Sequence, residues 1–128
     1  MTGAALALLV ALAGGLGAGG RYTLDVTLGA LATRAGRPGW VLAGINVTGS
    51  LLIGVLAGLA TAGSLGGESQ TILATGFLGG FTTFSAASLD VVEMEERSGR
   101  DAAVLRALVV PVAAVATCAL GVWLAGGL

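Results

Sequence analysis

Asn46 and the run Gly76-Phe77-Leu78-Gly79-Gly80-Phe81-Thr82-Thr83-Phe84-Ser85 carry the polar chemistry of this sequence, and each lies inside a long apolar stretch. Lipid offers no hydrogen-bond partners, so polar groups at that depth persist only where they face protein, an ion or water. Asn46 has two possible uses. It can bond another helix, worth about 0.6 kcal/mol, or it can line a path for an ion. The pair Gly79-Gly80 weakens a helix by about 1 kcal/mol per residue. A break there strands carbonyl oxygens, which suit a hard cation. It also strands amide N–H groups, which together with the hydroxyls of Thr82, Thr83 and Ser85 suit an anion. The competing use of such a break is a kink packed on a neighbouring helix. Phe84 projects just past it, and the positive edge of an aromatic ring can border an anion's path without a formal charge that traps it. Arg21 is either a snorkeling interfacial residue or a residue that draws anions toward a vestibule.

The elements that must position these residues are membrane-spanning helices. The chain is 55% hydrophobic and 10% charged, where a soluble domain carries about 25% charged residues. With about 20 residues to a span, 128 residues hold four helices in a single transmembrane domain covering 1–128. The spans are expected at about 3–22, 39–62, 71–92 and 103–125, with the third broken near Gly79-Gly80. Residues Met1 to Gly20 lack the basic leader of a signal peptide and read as a retained first span. A polar connector with Arg34, Arg37 and Pro38 follows, and the stretch from Glu93 to Asp101 reads as a solvated loop. Trp40 is an interfacial anchor, and Pro111 is placed to kink the last span.

Charge sets an expected orientation. Arg34, Arg37, Arg97 and Arg100 lie in the first and third loops, with Arg21 and Arg106 near the same face. That places those loops in the cytoplasm and both termini outside. Net charge is −1, so no basic surface points to nucleic acid. The chain has no His and one cysteine, Cys118, and no paired buried acids stand out, so no enzyme is expected. Gly15-Leu16-Gly17-Ala18-Gly19-Gly20 matches a dinucleotide fingerprint in letters only, since no strand precedes it. Helix packing is the better account of Gly15 with Gly19, Gly54 with Gly58, and Gly76 with Gly80.

Three elements together resemble the small bacterial fluoride channels of the Fluc/CrcB family: Gly19-Gly20-Arg21-Tyr22, Asn46 followed by Gly49-Ser50, and the Gly76–Ser85 run. The resemblance covers nearly the whole chain, and the third element is its most specific part. It implies an all-α membrane protein of four helices, paired as an antiparallel dimer in the bacterial plasma (inner) membrane, with two narrow fluoride pores. It also implies a structural sodium ion at the dimer centre, held by main-chain carbonyls that map to Gly79 and Thr82. The implied fluoride pathway maps to Asn46, Phe84, Thr83, Ser85 and Arg21.

The chain departs from the family pattern at several places. Where relatives continue with Thr-Phe-Ser, it has Ala86-Ala87-Ser88, and Leu42 stands where a hydroxyl is frequent. The fourth span offers only Thr117 as a polar pore residue. Fluoride is strongly hydrated, so lost donors raise its entry barrier. The expected function is passive fluoride export through a channel subunit. An alternative is a poorly conducting structural subunit in a heterodimer completed by an inverted paralogue, which the one-sided charge bias motivates. A small multidrug exporter is a third reading, but it needs a membrane-embedded carboxylate and the first span before Arg21 has none.

Overall fold

The computed structural model describes residues 1–126. The chain folds as α1 (Gly3–Arg34), α2 (Trp40–Thr61), α3 (Gly67–Gln70), a π-helical segment (Thr71–Leu78), α4 (Gly79–Phe81), α5 (Phe84–Ser98) and α6 (Arg100–Gly126). The elements from α3 to α5 form one interrupted third span, so four helical stretches are long and apolar enough to cross a membrane. This is a multi-pass membrane protein.

Two helices outrun the sequence expectation. α1 continues through Arg21 and Tyr22 to Arg34, where a polar connector was expected. No Gly-Pro signal interrupts that stretch, and Thr23 and Thr27 turn their hydroxyls back onto the carbonyls of Gly19 and Thr23, which keeps them compatible with helix. The connector is short, and Gly36 and Gly39 take the positive φ that it requires. Likewise, the charged segment from Glu93 to Ser98 is not a loop but the last turns of α5. Glu, Met and Arg are good helix formers, and the stop comes only at Gly99 with φ 88°. Pro111 leaves α6 a single helix from Arg100 to Gly126.

The helices pack through glycine rather than through bulky cores. The buried apolar side chains are Leu42, Ala43, Ile45, Leu78, Ala103 and Ala125. α2 lies along α6 so closely that a methyl group added at Gly54 would collide with the Cys118 carbonyl, and one at Gly121 with the Leu51 carbonyl. α1 meets the third span in the same way, Gly17 against the Phe77 backbone and Gly80 against the Gly14 backbone. Without a hydrophobic drive between helices in lipid, such backbone approach is the main source of packing attraction. Gly54, Gly58, Gly76 and Gly80 therefore act as expected, whereas Gly15 and Gly19 face open space and the α1 contact is made by Gly14 and Gly17.

Candidate functional site

The third span does break, but at Thr82-Thr83 rather than at the glycine pair. Gly79 and Gly80 are helical, while Thr82 (φ −82°, ψ 156°) and Thr83 (φ −153°, ψ 127°) are extended. Glycine propensity is therefore not what opens the helix. Gly80 is spent on the close approach to α1. The break is held instead by Asn46 on α2. Its Oδ1 accepts from the Thr83 amide at 2.8 Å and its Nδ2 donates to the Thr83 carbonyl at 3.0 Å. The side-chain amide thus satisfies both main-chain groups of one unwound residue, as a paired strand would. Gly49, one turn further along α2, leaves room for the Thr82 methyl group.

Around this clamp the hydroxyls are engaged locally. Thr82 donates to the Leu78 carbonyl at 2.9 Å. Thr83 is the N-cap of α5, its Oγ1 accepting from the Ala86 amide at 3.3 Å and lying 3.1 Å from the Ser85 hydroxyl. Among the described residues no helical amide reaches the four carbonyls from Gly79 to Thr82, and for two of them the diverted donor can be named. The Thr83 amide that would close on Gly79 goes to Asn46, and the Ala86 amide that would close on Thr82 goes to the Thr83 hydroxyl. Both oxygens are neutral hard donors, the type that holds a hard cation.

Asn46 also lines a cleft of about 230 Å³ that runs between α2, α5 and α6. Phe84, Ala87, Ser88, Asp90, Arg106 and Pro111 share that lining. An amide has two N–H groups and two lone pairs, so Asn46 keeps one N–H beyond its bond to Thr83. The two uses expected of it are thus compatible in one geometry. Phe84 is 83% exposed and reaches the cleft from the first position of α5. Leu42 and Ala87 present apolar surface to the cleft where the family pattern has a hydroxyl and an aromatic ring. The Thr117 hydroxyl is engaged by main-chain carbonyls. It lies 3.2 Å from the Val47 carbonyl and 3.1 Å from that of Ala114, binding α6 to α2. Arg21 is half-buried, with its Nε enclosed and unpartnered, and it lines none of the clefts around Asn46.

Sequence reasoning missed the charged end of the cleft. Asp90 is buried and accepts from Arg106 Nη1 at 3.1 Å, with Arg97 Nη2 at 3.7 Å on its other oxygen. The Arg106 guanidinium sits 4.8 Å from the centre of the Trp40 ring. The signal was available, since Asp90 falls two helical turns after Phe84 and is the only acid within the apolar part of α5. The π-helical segment before the break carries no residue that announces it.

With this geometry in hand, comparison with known proteins decides the family. The family model described as "CrcB-like protein, Camphor Resistance (CrcB)" matches residues 8–125. The chain belongs to the CrcB family. A curated relative from Leifsonia xyli subsp. xyli, named fluoride-specific ion channel FluC 1, is 41% identical over 119 residues, covering 93% of this chain and 85% of its own. One from a Chelativorans strain, named fluoride-specific ion channel FluC, is 41% identical over 119 residues and covers 92% and 94%. Another FluC, from Rhodospirillum centenum, is 48% identical over 97 residues, 75% of each chain. Membership extends over all four spans, so the clamp, the break and the cleft all lie within the matched region.

Proposed function

We propose that this CrcB-family chain is a subunit of a fluoride-selective channel of the bacterial plasma membrane, passing fluoride down its gradient and out of the cytoplasm. The observation that carries this is a helix unwound inside an apolar span, with Asn46 and Phe84 set together on a cleft beside it. The names of its relatives supply the ion. Asn46 offers an N–H donor and Phe84 a ring edge, while the hydroxyls of Thr83 and Ser85 lie at the α5 N-terminus, whose dipole favours an anion. Arg21, outside the cleft, acts by raising the local anion concentration. Since every relative named above is called a channel, a conducting subunit is favoured over a poorly conducting one completed by an inverted paralogue.

The functional unit is a dimer of antiparallel subunits. Support comes from what one chain leaves uncovered: Gly79, Phe84 and Ser85 are exposed at the break, and Gly15 and Gly19 on α1 meet nothing. A sodium ion at the dimer centre fits the carbonyls of Gly79 and Thr82, whose helical donors are diverted. Four such oxygens from two subunits would hold it, and its charge would neutralise carbonyl dipoles that lipid leaves unsatisfied.

The test is fluoride efflux from liposomes containing the purified chain, read with a fluoride electrode. Rapid fluoride release with no chloride release is expected. Vesicles that retain their fluoride would overturn the reading.

A further inference from the structure

Asp90 and Arg106 form the one buried ion pair among the described residues, and both line the cleft that holds Asn46 and Phe84. Their side chains are 11% and 9% exposed. Burying two charges is costly unless each is paired and hydrogen-bonded, and for packing alone two apolar residues would serve at this place. From Phe84 to Asp90 along α5 is six residues, about 9 Å of helical rise, so the pair stands roughly two turns from the break.

Arg106 is only partly used by the protein. Of the five donors of a guanidinium, one, on Nη1, meets Asp90. The others have no acceptor among the described residues, and none of them is an enclosed orphan there. Trp40 steadies the group from one side at 4.8 Å. A cation with spare donors at the end of an apolar cleft offers an anion both charge and hydrogen bonds. Alone it would also be a trap, because an anion bound to an uncompensated buried charge leaves slowly. Asp90 removes that difficulty by neutralising most of the charge.

We propose that Arg106 is a fluoride-coordinating residue of the conduction path, and that Asp90 is a positioning residue that keeps its grip weak enough for release. Arg97, half-exposed at 3.7 Å from the other oxygen of Asp90, shares that carboxylate, so the three side chains together keep one net positive charge toward an anion. The proposal rests on the fluoride reading above and deepens it. It also supplies a polar residue to the fourth span, whose stretch from Leu108 to Ala116 has none.

The experiment measures fluoride efflux against fluoride concentration in liposomes containing the full chain with sodium present. Arg106→Gln is expected to cut flux at low fluoride by roughly tenfold or more, since a focused charge raises local anion concentration by 10 to 1,000-fold. Arg106→Lys retains most of it. Asp90→Asn is expected to lower both the half-saturating fluoride concentration and the maximal rate. Asp90→Asn with Arg106→Gln is expected to return half-saturation toward that of Arg106→Gln alone. The proposal is overturned if Arg106→Gln, purified at wild-type size, conducts as wild type. It is equally overturned if Asp90→Asn conducts normally, or if the double variant saturates like Asp90→Asn. A wild-type protein that passes no fluoride would sink the channel reading itself, which separates that failure from this one.

Discussion

The side chain of Asn46 and the backbone of Thr83 form a two-way hydrogen-bonded pair, at 2.8 and 3.0 Å, across the boundary between α2 and the unwound third span. An asparagine is suited to this because one amide carries donor and acceptor side by side. Replacing it by aspartate keeps the acceptor, removes the donor, and adds a negative charge beside the proposed anion path. For Asn46→Asp we expect fluoride flux to fall below detection in the liposome assay. We also expect the detergent-solubilised protein to melt earlier, by an amount consistent with about 1–3 kcal/mol for one stranded carbonyl. Wild-type flux in this variant would remove Asn46 from the pathway. An unchanged melting temperature would mean that the break is held by something else.

Phe84 tests the aromatic contribution separately. Phe84→Ile keeps much of the bulk but loses the ring edge. Edge contacts of aromatic rings are worth about 0.5–1.5 kcal/mol beyond burial, and about 1.4 kcal/mol is tenfold in rate. A roughly 2- to 10-fold loss of fluoride flux is therefore expected, read at matched dimer content because Phe84, 83% exposed on the single subunit, lies on the face proposed to pair. Full throughput in Phe84→Ile would show that bulk alone suffices.

Much of this architecture was legible in the sequence, for reasons that differ between elements. Four spans follow from length and hydropathy, which the bilayer enforces directly. That the third span is broken could be read from polar residues at depth. Where it breaks could not, because the deciding contact comes from Asn46, 37 residues away. Local propensity pointed at Gly79-Gly80, and tertiary packing used Gly80 for α1 instead. The cap at Thr83 was visible in principle, as a threonine just ahead of a helical run. The Asp90–Arg106 pair was not, since an acid on α5 and a base on α6 declare a partnership only once the helices lie side by side. Helix ends failed for a simpler reason. Polar residues are as helical as apolar ones, so polarity marks where lipid ends, not where α1 and α5 end.

Glycine contacts divide the first helix into two classes of position. A methyl at Gly17 meets the Phe77 backbone, whereas one at Gly15 meets nothing within the subunit. Overpacking costs about 1–3 kcal/mol, so Gly17→Ala should lower the melting temperature clearly and Gly15→Ala should not. If Gly15 instead faces a second subunit, Gly15→Leu should shift the protein toward monomer on size-exclusion chromatography while leaving helix content by circular dichroism intact. A Gly17→Ala protein as stable as wild type would contradict the close approach of α1 and the third span.

The proposed sodium ion at the Gly79 and Thr82 carbonyls would couple the break to the proposed dimerisation. A ligand that binds only the assembled state stabilises it by RT ln(1 + [L]/Kd), about 2.7 kcal/mol at a hundred times Kd. Exchanging sodium for N-methylglucamine throughout should therefore weaken the dimer and reduce fluoride flux together, and restoring sodium should recover both. Potassium is a poorer substitute if the site is rigid, because the larger ion lengthens every carbonyl contact. The carbonyls themselves cannot be mutated, but Thr83→Ala removes the hydroxyl that diverts the Ala86 amide. In that variant Asn46 still holds Thr83 extended, so the Thr82 carbonyl stays free, and sodium dependence should be retained alongside the loss of about 1 kcal/mol expected from the missing cap. A dimer equally stable with and without sodium, in both proteins, would place the ion elsewhere or nowhere.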